Sequence, residues 1–238
     1  MSTSASADEA IFRPVRTGNA FEETVERLLQ AIRLGVAAPG EGLPAERELA
    51  TRLGVSRETL RQAIRALSDA GYVESRRGRY GGTFVTSTLP ANENSRARAD
   101  LAAELEDVLA LRWVLETGAA ERAASRTLTA ADRRHLRAAL AEVNAVDLAD
   151  YRRRDSRLHL AIAEVTASAL LTTAVADIRI KVNELLDAIP LLEVNIDHSN
   201  TQHRRIVDAI LSANPEAARQ AMDEHLEGTA ALLRGFLS

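Results

Sequence analysis

The chain has 238 residues and a net charge of −4, and 46% of its residues are hydrophobic, as is ordinary for a globular protein; it is long enough for one large domain or two smaller ones. The absence of cysteine excludes disulfides, thiolate metal sites and cysteine catalysis. No apolar run approaches the roughly 20 residues of a membrane span. The N-terminus also lacks the basic start and apolar core of a secretory signal. We therefore expect a cytoplasmic protein with no membrane partner.

Charge is distributed unevenly along the chain. Residues 1–90 contain 12 arginines and 11 acidic residues, a net charge of +1, which leaves −5 for residues 91–238. The total charge therefore says little about nucleic acid, and any basic surface must be local.

The first third of the chain predicts three helices followed by a hairpin. Apolar periodicity and capping residues place the helices at residues 21–34, 44–53 and 56–71. Residues 72–85 then change to the period of two short strands around a tip rich in arginine and glycine. A turn at Gly54 sets the second and third helices at a steep angle, so the pattern predicts a winged helix-turn-helix.

The rest of the chain is predicted to be almost entirely helical. Residues 87–99 are polar and predict an interdomain linker. Thr129 opens a capping-box pattern, and Asn214 precedes a proline at a predicted helix start. Six consecutive helices with short connections imply an antiparallel bundle. The predicted fold is mainly α, with an N-terminal winged helix-turn-helix domain and a C-terminal antiparallel all-α bundle. The six helices are expected at residues 101–125, 129–144, 147–166, 169–189, 195–213 and 215–237.

The third predicted helix carries a stripe of arginines. Arg57, Arg61 and Arg65 are four residues apart and share one face, opposite an apolar face. Ser56 and Thr59 lie at the N-terminal end of this helix, where backbone N–H groups favour phosphate. Arginines at this spacing are, by themselves, equally typical of a solvated face.

The predicted hairpin tip is a second cationic element. It contains Arg76, Arg77 and Arg79, followed by two glycines that let the tip approach a DNA backbone closely. Together with the turn and the helix cap, it favours a helix that enters the major groove of double-stranded DNA.

The stretch "LPAERELATRLGVSRETLRQAIRALSDAGYVESRRGRYGGTFV" resembles the DNA-binding domain of the GntR superfamily of bacterial transcription regulators. The resemblance covers roughly residues 15–86. Ala45 stands where this family usually has a capping serine, which weakens the start of the second helix by about 1 kcal/mol. The resemblance and the residue pattern together predict a DNA interface that comprises Arg47, Ser56, Arg57, Thr59, Arg61, Arg77 and Gly78.

A histidine and carboxylate pattern marks the helical half. Asp155 and His159 are four residues apart on one helix face, and His203 and His225 each lie in the apolar register of their own helix. Three imidazoles and a carboxylate from three helices suit a divalent transition metal with positions left for a ligand. The alternative is a set of packed histidines that hydrogen bonds satisfy, and spacing does not decide between the two.

The segments "LRWVLETGAAERAA", "DSRLHLAIAE", "QHRRIVDAI" and "AMDEHL" resemble the FCD effector domain of the FadR subfamily, in its six-helix, VanR-like form. The resemblance implies an effector-binding and dimerisation domain over residues 100–238. It also implies that a metal, with zinc first and nickel, manganese or iron as alternatives, is held by Asp155, His159, His203 and His225.

The same resemblance implies that Arg112 pairs with the carboxylate of a small metabolite. A guanidinium suits this role because it is planar and permanently charged. An ion pair with Glu116, four residues along the helix, is the alternative. Ser168 stands where the family often has asparagine in the loop before the fourth helix of the bundle, so that amide contact is not expected here.

These patterns predict a homodimeric bacterial transcription repressor rather than an enzyme. The two DNA-binding domains of a two-fold dimer would bind a pseudo-palindromic operator. A small organic acid bound at the metal and Arg112 would cause the repressor to dissociate from the operator. One alternative is a metal-dependent hydrolase with an appended nucleic-acid-binding module, although the sequence has no HExxH motif. The other alternative is an architectural DNA-binding protein whose bundle only dimerises.

Overall fold

The computed structural model describes residues 11–78, 81–90, 95–145 and 150–237. This part of the chain is mostly helical with one two-stranded sheet, which confirms the predicted fold class. The chain divides into two compact units. The first unit comprises Met1–Ala99 together with Gly228–Ser238, and the second comprises Asp100–Glu227.

The first unit contains a short 3-10 turn, three helices and a hairpin. The helices lie within two residues of their predicted bounds, because the signals that end them are local. In chain order the elements are the turn (Thr17–Asn19), α1 (Ala20–Arg33), α2 (Glu46–Leu53), α3 (Arg57–Asp69), β1 (Val73–Arg76) and β2 (Gly82–Val85).

The predicted turn between α2 and α3 is confirmed. Gly54 has a φ of +66°, a left-handed conformation that glycine adopts without strain, and it ends α2. Ser56 caps α3 by accepting a hydrogen bond from the N–H of Thr59 at 2.9 Å. Leu53 of α2 and Leu60 of α3 are fully buried, which fixes the two helices against each other.

The hairpin is antiparallel, with Val73 opposite Val85 and Arg76 opposite Gly82. Both valines are buried, so the base of the hairpin is anchored in the core of the first unit. Gly81 is required at the tip because a Cβ there would lie 2.4 Å from the carbonyl oxygen of Arg76.

The six predicted helices of the second half are present, and two of them, α4 and α9, extend from the second unit into the first. The helix α4 begins six residues before its predicted start. The predicted start of α6 at residue 147 falls outside the described residues. The helices are α4 (Ser95–Ala124), α5 (Ala130–Ala145), α6 (Tyr151–Glu164), α7 (Ala169–Asp187), α8 (Glu193–Leu211) and α9 (Pro215–Leu237).

Two predicted helix starts have the expected caps. Thr129 and Asp132 exchange the hydrogen bonds of a capping box, at 2.9 and 3.1 Å. Asn214 accepts a hydrogen bond from the N–H of Ala217 at 3.1 Å. The helices α5 and α6 pack together, α6 also packs on α7, and α5 also packs on α8. None of the helices in the described part of the chain has the length and apolar character needed to cross a bilayer.

The end of α9 is part of the core of the first unit. Leu233 and Phe236 are buried, and the ring of Phe236 meets the edge of Tyr72 with centroids 5.8 Å apart. Arg33 of α1 donates hydrogen bonds to the main-chain oxygens of Arg234 and Phe236. Since the last carbonyls of a helix lack partners within the helix, these bonds stabilise its end.

Gly235→Ala is expected to lower the free energy of unfolding by about 1–3 kcal/mol, because overpacking forces the backbone to move. A Cβ at Gly235 would lie 2.9 Å from the Cα of Glu26. Gly118→Ala in α4 is the matched control, since a Cβ there meets nothing within 4 Å. This control should gain roughly 0.5–1 kcal/mol from helix propensity. Urea unfolding followed by circular dichroism measures the free energy of unfolding of both variants. If Gly235→Ala is stabilised as much as Gly118→Ala, this packing is contradicted.

Candidate DNA interface and metal centre

The helix α3 has one buried face and one cationic face. Leu60 and Ile64 are buried, whereas Arg57, Arg61 and Arg65 are exposed. Ser56 caps the first turn of α3. The backbone N–H groups of this turn lie at the same end of the helix as Arg57, the first arginine of the stripe.

Arg61 is engaged by a carboxylate within the first unit. Its Nε lies 2.9 Å from Oε2 of Glu46 at the start of α2, and the two side chains are 54% and 39% exposed. A pair this exposed contributes little to stability, so a DNA phosphate can compete for the guanidinium. Arg47, the next residue of α2, is also exposed.

The wing presents part of the predicted cationic tip. Arg77 and Gly78 are exposed, and Gly78 has a φ of +106°, which favours glycine. Arg76 is occupied within the hairpin, where it pairs with Glu74 at 2.7 Å and lies 4.3 Å from the ring centroid of Phe84. Arg79 falls outside the described residues.

The four predicted metal ligands come together in the second unit. Asp155 and His159 lie on α6, His203 on α8 and His225 on α9, and all four are buried. One potential ligand atom from each residue lies within 4.8 Å of the others. Since metal–nitrogen bonds are about 2.0–2.1 Å long, ligands on opposite sides of an ion can be no more than about 4.2 Å apart. A metal would therefore fit after a small contraction of the cluster.

Neighbouring side chains orient two of the imidazoles. Nδ1 of His159 lies 2.7 Å from Oε2 of Glu116, and Nδ1 of His225 lies 3.1 Å from Oε1 of Gln202. Their Nε2 atoms face each other at 3.3 Å. Gln202 is hydrogen-bonded to His225, whereas Glu116 is an ion-pair neighbour of His159, and metal-binding histidines commonly have one nitrogen beside such a polar group and the other directed at the ion.

His203 provides the clearest sign that a metal fits. Both of its ring nitrogens are buried without a hydrogen-bond partner in the described structure. Its Nε2 lies 3.2 Å from Oδ1 of Asp155. Buried polar atoms are rarely left unpaired because losing water without a replacement costs free energy. A metal ion between His203 and the other ligands would remove part of that cost.

Three of the four potential ligands favour the protonation state that binds metal. Burial opposes the charged form of Asp155, but the guanidinium of Arg179 and the neighbouring histidines hold the pKa of Asp155 well below its usual range. Burial lowers the pKa of His159 and His225, and the other imidazoles lower that of His225 further. Metals bind carboxylates and neutral imidazoles, so protons compete weakly for these ligands near neutral pH.

Arg112 lies beside the cluster, and the ion pair that the sequence left open is present. Its Nε is 3.5 Å from Oε2 of Glu116, and both side chains are buried. Burial raises the pKa of Glu116, but the neighbouring His159 and Arg112 outweigh this effect and lower that pKa to about 2. Nε and Nη1 of Arg112 have no hydrogen-bond partner in the described part of the chain.

Arg179 is a site residue that was not predicted from the sequence. Its Nη2 lies 2.5 Å from Oδ2 of Asp155, and its Nη1 lies 3.8 Å from Oε1 of Glu116. The available signal was its register in α7, four residues after the buried Val175 and three before the buried Val182. A charged residue in a buried register needs a charged partner.

Comparisons with known proteins identify both halves of the chain. The FCD domain family matches residues 107–228, and the bacterial regulatory proteins of the gntR family match residues 21–85. The chain belongs to the GntR family of bacterial transcription regulators that carry an FCD domain. Both resemblances seen in the sequence are therefore confirmed.

Relatives agree with this assignment along most of the chain. The Exu regulon transcriptional regulator of Escherichia coli (strain K12) is 29% identical over 227 residues, which cover 90% of this chain and 84% of the relative. The HTH-type transcriptional regulator LutR of Bacillus subtilis (strain 168) is 28% identical, over 86% of this chain and 97% of the relative. The solved structure of E. coli McbR/YncC shares the fold, with a TM-score of 0.50 at 18% identity over 90% of this chain and 96% of that one.

The protein is thus a DNA-binding transcription regulator and not an enzyme. The matching families and the similar relatives are transcription regulators, so the hydrolase alternative is wrong.

Proposed function

We propose that this GntR regulator is a homodimeric repressor whose operator binding is controlled by a small organic acid bound at a metal in the helical unit. The observation that carries the proposal is the buried cluster of Asp155, His159, His203 and His225 with Arg112 beside it. A purely architectural DNA-binding protein has no need of buried metal ligands, so the cluster favours the metabolite-responsive function.

DNA is contacted by the start of α3 and by the wing. Arg57 and Arg61 are exposed near the start of α3, where they can reach base edges or phosphates in the major groove. Arg47 of α2 and Arg77 of the wing contact the backbone on either side. At the same surface, hydroxyl groups are provided by Ser56 and Thr59. Gly78 lets the wing approach the DNA backbone closely.

Replacing Arg61 by alanine should weaken operator binding by about 1–3 kcal/mol if it reads a base edge. Glu46→Gln should strengthen binding, because it removes the carboxylate that pairs with Arg61 at 2.9 Å and repels phosphate. Gel-shift assays with DNA selected from a random-sequence pool by the unmodified protein give the affinities.

Arg137→Ala is the control for charge loss, since Arg137 is an exposed arginine of α5. The affinity of Arg137→Ala for the selected DNA should match that of the unmodified protein. Weaker binding by Glu46→Gln, or unchanged binding by Arg61→Ala, would contradict the assigned interface.

A divalent transition metal is held by the three imidazoles and Asp155, and zinc is the first choice for this mixed nitrogen and oxygen donor set. When bound, the metal supplies a Lewis-acid position that an oxygen of the effector can occupy. Glu116 and Gln202 keep the histidine rings oriented for it.

The effector is a small carboxylate that also pairs with Arg112. The Nε and Nη1 donors of this buried guanidinium have no hydrogen-bond partner in the described structure, and its carboxylate neighbour Glu116 is 3.5 Å away. A planar guanidinium can bind a carboxylate through two parallel hydrogen bonds. The metal and Arg112 would then hold the same ligand.

Protein purified from cells grown with trace metals should contain about one transition-metal ion per chain. His203→Ala removes one ligand and should deplete the metal, whereas His135→Ala should keep it, because His135 is a surface histidine that pairs with Glu164 at 2.6 Å. Mass spectrometry of metal content checks both variants. Full occupancy in His203→Ala would argue against the site.

The dimer is formed through an apolar strip on α4 and α7, with a second copy of the chain as its partner. Leu111, Val114 and Ile180 are large apolar side chains that are at least half exposed, and α4 and α7 line one shallow groove. Exposed apolar patches commonly mark protein interfaces. A two-fold dimer also matches the symmetry of a pseudo-palindromic operator.

Val114→Asp should convert the dimer to a monomer, because it places a charge at an exposed apolar position of α4. Leu34→Asp is the matched control, an equally drastic change at a side chain that is 71% exposed in the first unit. Sedimentation velocity distinguishes the two states. A Val114→Asp variant that stays dimeric would exclude this surface as the interface.

A further inference from the structure

Arg179 was not among the predicted site residues. It nevertheless contacts the predicted metal ligand Asp155 directly, whereas the predicted cation Arg112 pairs with Glu116. Its guanidinium is 2% exposed and lies on α7, opposite Asp155 on α6. We propose that Arg179 is a positioning residue for the metal: it holds one oxygen of Asp155 so that the other is presented to the histidines. This inference rests on the proposed metal site.

The two oxygens of Asp155 have different surroundings. Oδ2 accepts a hydrogen bond from Nη2 of Arg179 at 2.5 Å. Oδ1 faces the imidazoles, 3.2 Å from Nε2 of His203 and 3.8 Å from Nε2 of His159. With Oδ2 occupied, the carboxylate plane is fixed and Asp155 is directed to bind a metal through Oδ1 alone.

Arg179 is itself held by polar neighbours. The same Nη2 donates to Oγ of Ser156 at 3.0 Å, and Nδ2 of Asn183 donates to that Oγ at 3.1 Å. Nη1 of Arg179 points toward Glu116, 3.8 Å away, which in turn contacts His159. One guanidinium therefore holds the ligand Asp155 through Nη2 and faces Glu116, the neighbour of His159, with Nη1, and a rigid planar cation with two terminal nitrogens suits this arrangement.

The contacts indicate more than neutralisation of a buried charge. A lysine in place of Arg179 would keep the positive charge, but it has a single nitrogen on a flexible stem. It could not contact Asp155 and Ser156 through one nitrogen and face Glu116 with another, as the guanidinium does. Groups that orient metal ligands typically contribute 10–100-fold to metal affinity. Arg179→Lys is therefore expected to lower the metal affinity by this factor while the protein still folds.

The test uses full-length protein stripped of metal with a chelator. Zinc affinity is measured by competition with a chromophoric chelator, and the visible spectrum of the cobalt-loaded protein reports the coordination of the ion. Arg179→Lys should bind zinc 10–100-fold more weakly and show an altered cobalt spectrum. Circular dichroism first establishes that each variant is folded.

Arg152→Lys is the matched control. Arg152 on α6 pairs with Asp187 on α7 at 2.9 Å, so it joins the same two helices by an arginine and an aspartate that are not metal ligands. Its zinc affinity and cobalt spectrum should equal those of the unmodified protein. Ser156→Ala is the second variant, which removes a brace of Arg179 without a charge change, and it should weaken zinc binding by less than Arg179→Lys does.

Each result decides a separate claim. Unmodified zinc affinity and cobalt spectrum in Arg179→Lys would overturn the positioning role while leaving the metal site standing. If Arg179→Lys does not fold, an unchanged affinity in Ser156→Ala overturns the role instead. Equal losses in Arg179→Lys and Arg152→Lys would also overturn it, because any contact between the two helices would then suffice. If the unmodified protein binds neither zinc nor cobalt, the proposed metal site itself fails, and the inference fails with it.

Discussion

The buried charge of Asp155 is the constraint on which the second unit depends. A carboxylate removed from water takes up a proton unless cations lie close by. Arg179 supplies that cation at 2.5 Å, and the pKa of Asp155 stays well below its usual range although burial opposes this. Because Asp155 remains charged, the three imidazoles share an anionic neighbour in a place where burial keeps two of them neutral. Without that charge the cluster would offer a metal only uncharged ligands.

The order and type of the elements could be predicted because their signals are local. Gly54, Ser56 and Asn214 act on the residues beside them, and each has the conformation or cap that its neighbours implied. The start of α4 was predicted too late, since "ENSRARAD" is as polar as a linker, yet its alanines and arginines are good helix formers. Polarity alone therefore did not separate a helix from a connector.

The potential metal ligands could be predicted from the sequence, whereas the buried charged residues around them could not. Histidines are rare in this chain, so those in apolar registers were conspicuous, and the structure brings the predicted four together. Glu116 and Arg179 belong to residue types that usually coat surfaces, and their burial follows from how α4 and α7 pack. The end of α9 is a similar case. Its apolar residues fit a bundle helix equally well, and only long-range packing places Phe236 against Tyr72.

Under the proposed function, control of DNA binding from the cluster would require a rearrangement that reaches the first unit. His203 and His225 are almost fully buried, so the helices around them would have to move before an effector could reach a metal held there. A ligand shifts such an equilibrium by its difference in affinity for the two arrangements, and each tenfold difference amounts to about 1.4 kcal/mol. The helix α9 carries His225 and continues into the core of the first unit, so one helix belongs to both units. Gly228 follows three residues after His225 and lies where α9 enters the first unit. A Cβ at Gly228 would lie 2.7 Å from Oδ1 of Asn19, so close packing holds the backbone there and opposes bending.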